Sequence, residues 1–466
     1  MKKNILFALV LCFISSSLIG LTPIQAQNFG TGCVLNPSLY EQIPLAATLM
    51  RGDFQKLPTS VSLRPYAPIP QNQGSYGTCV GWSTAYAART ILMAYHQNWT
   101  NSTLITENAF SPYFIYEQAK SVNDVYCQEG TSLFNALEII KEVGVVKVSD
   151  FGSQCGQTIT PILEAKAQKF KIKEYRRLFE TGSSGKTLLV KKSLAENRPV
   201  IIGMQCCTKS FLNAKGKDFW SILPGENANP EGGHALTVVG YDDNKYGGAF
   251  ELMNSWGTAW GNEGFIYLSY DDFEKYCFEA YEMILDDFGS QNLAGEIRFE
   301  LSSGMEMKTF YKGRGSYETI SPYHSGTLFR LYISNQDPAY VYAFNSDLSR
   351  KNYKIFPHKP SVSAFLGYKG NNIAIPDEFN LIQMDANPGV DFFCILYSKE
   401  KLDIDRILAD IEQTNGEFQE RIYRVLSDKL FAPHEVSFDI DGKISFRALS
   451  TEKSIVPVIV SMPHIK

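Results

Sequence analysis

Residues Gln73-Gly74-Ser75-Tyr76-Gly77-Thr78-Cys79 run directly into Val80-Gly81-Trp82-Ser83-Thr84-Ala85-Tyr86-Ala87-Ala88, and this stretch restricts the fold more than any other. Its glycines permit a tight loop, Thr78 is a favoured N-cap, and the alanine-rich run predicts a helix. Cys79 therefore falls on the first helical turn. The positive end of a helix dipole lowers a thiol's pKa and favours the reactive thiolate. Trp82, Tyr86, Ala87, Thr90 and Met93 recur at helical spacing, so the helix extends to about His96. At 1.5 Å per residue, His96 is then roughly 25 Å from the sulfur, too far to act as its base.

A chain of 466 residues exceeds one ordinary core and predicts two or three domains. Hydrophobic residues at 44% and charged ones at 20% describe a globular protein. The net charge of −5 gives no electrostatic reason to expect nucleic acid or an anionic membrane as partner. Lys2 and Lys3 precede an apolar run from Ile5 to Ile19, with small residues around Ala26, which reads as a cleavable leader over 1–26. The expected location is secreted, periplasmic or cell-surface, with no membrane span in the mature chain. Eight cysteines follow the leader: 33, 79, 127, 155, 206, 207, 277 and 394. An oxidising compartment permits disulfides among them.

Two further fragments complete a site around Cys79. Gly232-Gly233-His234-Ala235-Leu236-Thr237-Val238-Val239-Gly240 opens an apolar strand on a histidine, and Asn254-Ser255-Trp256-Gly257 follows. With the cysteine loop, these motifs resemble the papain and cathepsin family of cysteine peptidases, from about Pro58 to about Leu285. The order Cys, His, Asn matches, and His234 lies about 155 residues beyond Cys79, close to the family's distance. The resemblance implies a secreted cysteine peptidase, most simply an endopeptidase, acting on peptides or proteins without cofactor or metal. Cys79 is the implied nucleophile, His234 its base, Asn254 the group orienting the imidazole, and Gln73 the oxyanion donor beside the Cys79 backbone N–H. Trp256 is expected to cover the His234–Asn254 bond, while Gly130 and Gly233 are expected to line the substrate cleft. Two other readings stand beside this one: an exopeptidase whose N-terminal extension blocks one end of the cleft, and an idle binding protein on the same scaffold.

The departures from the family pattern are specific. Tyr76 stands where the family commonly has a bridged cysteine, so packing must hold this loop, and Val80 replaces the common tryptophan. The preferred disulfide is Cys127 with Cys155, and Cys277 is paired with Cys206 or Cys207. About 30 residues of extension are too few for the family's long helical pro-segment.

The expected fold class is α+β, a two-lobed papain-like domain with a helical lobe and a β-barrel-like lobe, followed by a β-rich C-terminal domain with helices. The expected boundaries are a leader at 1–26, an extension at 27–56, the catalytic domain at 57–288 and the accessory domain at 295–466. Helices are predicted at 110–118, 132–143 and 188–196, and strands at 199–204, 234–241, 249–254, 264–269 and 281–285. Beyond the polar break near Gly289 the period becomes mostly two, with a helical stretch at 402–430 interrupted at Asn415-Gly416 and a closing hairpin turned at Asp441-Gly442. This part resembles small β-rich accessory domains of bacterial peptidases and kinases, which implies a surface or protein partner.

Overall fold

The computed structural model describes residues 29–47, 57–227, 233–285, 292–367, 370, 372–449 and 452–466. The leader and the polar break after Leu285 lie outside the described residues. A continuous helix over 79–96 forms the axis of the first half: an α turn Cys79–Gly81, a widened π stretch Trp82–Arg89, and an α segment Thr90–His96. Hydroxyls bonding back to the backbone accompany the widening. Thr84 Oγ1 donates to Val80 O at 2.7 Å and Thr90 Oγ1 to Ala85 O at 3.3 Å.

Residues 79–92 are all buried, which explains the run of small side chains. A Cβ on Gly81 would stand 2.2 Å from the Pro112 carbonyl. Thr78 makes no side-chain capping bond, contrary to expectation. Helices Pro112–Ala119 and Leu133–Glu142 flank the axis, capped by Ser111 and Ser132 side chains that accept from Phe114 N and Asn135 N.

Against the axis lies an eight-stranded sheet with the path Glu174–Arg177, Cys277–Ile284, Val200–Met204, His234–Asp242, Ala249–Met253, Phe265–Ser269, Phe219–Trp220; Ser60–Ser62 pairs with His234–Asp242. Its middle strands are apolar on both faces because helix and chain cover both, and Thr237 Oγ1 fastens the sheet to the axis through Ser83 O at 3.0 Å. The strand Cys277–Ile284 starts four residues earlier than its apolar run indicates.

The second half holds two further sheets, of eight and six strands, packed around Ile297, Phe299, Leu331, Phe393, Ile395 and Val458. Helices Ile404–Gln413 and Phe418–Leu426 cover the outer face of the larger sheet, with the expected interruption between them. The Asp441-Gly442 turn joins Val436–Phe438 to Ile444–Ala448 in antiparallel register.

The two halves meet along the edge strand Glu174–Arg177. Arg176 is fully buried, pairs with Glu282 and donates to Phe365 O at 2.5 Å; Arg198 donates to Gly367 O at 2.8 Å. Burial opposes ionisation of Glu282, yet Arg176 and Arg198 hold its carboxyl below the usual range. Tyr340 and Ser363 from the second half both donate to Glu174, at 2.9 and 3.0 Å.

The N-terminal extension is woven into this frame, although its sequence has no periodicity. Helix Pro37–Gln42, capped by Asn36, buries Tyr40 completely, and the Tyr40 hydroxyl donates to Phe179 O at 2.8 Å. Further on, Leu45 donates to Ser361 O at 2.6 Å and accepts from Ser363 N at 2.9 Å, while Ala46 N donates to Arg177 O at 2.9 Å. Both halves thus grip residues 43–47.

Candidate active site

Cys79 sits on the first turn of the axial helix and His234 on the first residue of the adjoining strand, and neither is exposed to solvent. The thiol lies at the Ala235 backbone N–H, the residue after the histidine. His234 Nε2 is 2.8 Å from Asn254 Oδ1. The Ser255 backbone N–H donates to that same oxygen at 2.8 Å, and since a backbone N–H can only donate, the amide orientation is fixed. Oδ1 then accepts only, so Nε2 carries the proton. In the neutral imidazole Nδ1 is left as the free lone pair, and it has no hydrogen-bond partner among the described residues.

Trp256 stacks on the imidazole, ring centroids 4.7 Å apart, and shields the His234–Asn254 bond. The cysteine loop is fastened by backbone bonds: Gln73 N to Ser255 O at 2.8 Å and Gly77 N to Cys127 O at 2.7 Å. Cys127 is joined to Cys155, as expected. Tyr76 packs its ring edge against Tyr113, which supplies the packing anticipated in place of a bridge. The other disulfide expectation fails. Cys206, Cys207 and Cys277 are free thiols, because the strand register sets Cys277 opposite Met204 rather than either cysteine. Among the described residues, one cluster has metal-ligand chemistry, Glu117, Cys127 and Cys155, and its two sulfurs are joined to each other.

The groove over these residues is filled by the chain's own residues 29–35. Gly30 N donates to Gly74 O at 2.9 Å, Cys33 N to Gly233 O at 3.1 Å and Val34 N to Thr131 O at 3.0 Å, and Thr131 N returns a bond to Gly32 O at 2.9 Å. The strap passes between the Gly130-Thr131 turn and the Gly233-His234 strand. Phe29 stacks on Trp256 at 4.6 Å, and the Gly30 carbonyl accepts from Trp256 Nε1 and Gln73 Nε2, both at 3.1 Å. The slot is too narrow for side chains at alternate positions. A Cβ on Gly30 would stand 2.0 Å from Tyr76 O, and one on Gly32 2.2 Å from Gly77 O. Beside the strap an open cavity of about 760 Å³ remains.

Burial under the strap reverses the expected charge state. Desolvation pushes the Cys79 thiol up to about 12, although the Ala235, Val80 and Cys79 backbone N–H groups favour the anion. Burial likewise pushes the His234 imidazole down to about 4, with the Asn254 bond opposing it. The pair is neutral near pH 7, where the helix-end argument alone gives a thiolate. Gln73 is also committed: its amide donates to Tyr76 O at 2.7 Å as well as to Gly30 O, while its oxygen accepts from Ser255 Oγ at 2.5 Å. Gly130 and Gly233 both touch the strap, and Thr131, Ser255 and Ala235 are the contributors that motif reading missed. The alternation Gly30-Thr31-Gly32 was the one available sequence sign of the narrow slot.

The chain is similar to known proteins over its first half. The family model described as papain family cysteine protease matches residues 57–284. Cathepsin K of Mus musculus is 26% identical over 217 residues, covering 46% of this chain and 60% of its own length. Cysteine proteinase 3 of Entamoeba histolytica is 25% identical over 231 residues, covering 49% of this chain and 68% of its own. Among solved structures, xylellain, a cysteine protease from Xylella fastidiosa, aligns with a TM-score of 0.46 at 20% identity, covering 56% of this chain and 97% of that one. The chain thus spans 60% of the length of the cathepsin K that it matches.

Proposed function

Residues 57–284 belong to the papain family of cysteine proteases, and from that premise we propose that the chain is a cysteine-type endopeptidase held latent by its own residues 29–35. The observation that carries the reading is the fixed imidazole: Ser255 locks the Asn254 amide, Asn254 locks Nε2–H, and Nδ1 is free to take a proton.

Once the strap leaves, water and substrate enter and the desolvation of Cys79 and His234 falls. The S–H proton of Cys79 passes to His234 Nδ1, giving a thiolate beside an imidazolium. The thiolate attacks the scissile carbonyl carbon. Its oxyanion takes hydrogen bonds from the Gln73 amide, vacated by Gly30 O, and from the Cys79 backbone N–H. The C–N bond breaks as His234 returns its proton to the leaving amine. Water then attacks the thioester, gives its proton to Nδ1, and releases the acid with the thiol restored.

An endopeptidase is favoured over an exopeptidase because the strap runs through the groove as a continuous chain, bonded to Gly74 at one end and Thr131 at the other. From the leader we infer secretion, the periplasm or the cell surface as its location. The test is hydrolysis of an end-blocked fluorogenic peptide by chain freed of residues 29–35. Turnover should disappear in Cys79→Ala, and turnover equal to that of the parent would exclude Cys79 as the nucleophile.

A further inference from the structure

Beyond the cleft, the far part of the axial helix borders a second cavity, of about 410 Å³. Arg89, Lys147, Lys169 and Lys171 line it together with Trp99 and Phe170, and no aspartate or glutamate does among the described residues. Arg89 decides what this means. Its residue is only 5% exposed, and its Nη1 has no hydrogen-bond partner among the described residues. Its other contacts are weak: Nε donates to Phe170 O at 3.4 Å, and the guanidinium lies over the Phe110 ring at 4.7 Å. Burial draws its pKa down to about 10, which still leaves it charged at neutral pH.

Elsewhere this chain pairs a buried guanidinium with a buried carboxylate, as Arg176 does with Glu282. At Arg89 no carboxylate among the described residues supplies the counter-charge, and three lysines add to the field instead of relieving it. Lys147 is held in place by Asn108 Oδ1 at 2.6 Å.

We propose that this cavity binds a small organic phosphate or sulfate ester, its tetrahedral anion gripped by Arg89 and the lysines. A planar guanidinium suits such an anion through paired N–H bonds. The cavity is larger than a free oxyanion requires and within the range of pockets that hold small organic molecules, so Trp99 and Phe170 receive the organic group. Arg89 lies ten residues along the helix from Cys79, roughly 15 Å away, so this site is separate from the cleft.

The test reads binding and is independent of hydrolysis. Phenyl phosphate, phenyl sulfate and benzoate are titrated calorimetrically into the full chain, with sodium chloride at matched ionic strength as the control. At least one of the two esters should bind, more tightly than benzoate, and the stronger identifies the anion. Arg89→Met should weaken that binding by about tenfold or more, the scale of a charge-assisted bidentate contact. Lys169→Gln with Lys171→Gln, both at exposed positions, keeps the fold and should weaken it by about threefold. Absence of heat beyond the chloride control, or an affinity unchanged in the lysine double variant, overturns the proposal even if Arg89→Met fails to fold.

Discussion

Cys79 and Arg89 are buried on the same helix, one on its first turn and the other ten residues on, and the protein treats them differently. Cys79 with its partner His234 has a neutral form within reach, and desolvation moves each toward it, the thiol to about 12 and the imidazole to about 4. Arg89 has no such escape, because even near 10 a guanidinium is charged at pH 7. The chain can therefore close its own backbone over the cysteine without supplying a counter-charge. Over the arginine none of the described residues supplies a carboxylate, and the proposed ester anion would take that place. Charge is a variable of the cleft and a constant of the second cavity.

The sharpest way to break this contrast is to spoil the fit of the strap. Gly30→Ala with Gly32→Ala drives methyl groups against the Tyr76 and Gly77 carbonyls. Overpacking of this kind costs about 1–3 kcal/mol, which at 1.4 kcal/mol per decade raises turnover of a fluorogenic peptide by about fivefold to a hundredfold. An unchanged rate would mean that the strap does not limit access. A second comparison, read in stability and not in turnover, separates two buried arginines. Arg176→Met leaves buried Glu282 to the more distant Arg198 as counter-charge and should cost about 3 kcal/mol, seen as a lowered thermal midpoint, whereas Arg89→Met without ligand should leave the midpoint level or raise it. Equal losses would erase the distinction between a paired and an unpaired guanidinium.

The smallest effect is in pH. His234 titrates near 4 when covered, against 6.5 as an ordinary histidine, so its contribution to the closed state is present above 6.5 and lost as pH falls toward 4. Cys79, raised from 9.0 to about 12, contributes below 9 and loses this as pH rises toward 12. Relative to the unfolded chain, the closed state is thus most stable between about pH 7 and 9. The thermal midpoint of the parent should fall more steeply from pH 6.5 to 4 than that of His234→Gln. Parallel curves would remove the imidazole from the account.

Much of the candidate site's arrangement was legible because it is local. A glycine loop, a helix start and a histidine ahead of a β-branched run each dictate their own geometry; once helix and sheet pack, His234 bonds Asn254 and the Cys79 thiol meets the N–H of the residue after the histidine. What escaped reading depends on distant partners. The strap has no period because its bonds go to Gly74, Thr131 and Gly233, far along the chain, so nothing repeats within it. The thiolate expectation failed for the same reason: the helix end favours the anion, and a segment more than forty residues upstream removes the water that the anion needs. Cys277 shows the limit for cysteines, since strand register rather than count determines which sulfurs meet. Arg89 looked like any residue of a helix until its burial without a carboxylate among the described residues became visible.

Because residues 43–47 are held by backbone bonds to both halves of the molecule, a strap that lifts from the groove stays tied beside it. Release and return are then steps within a single molecule, and the active fraction is indifferent to dilution. A thousandfold change in protein concentration leaves it where it was, until the tether is cut.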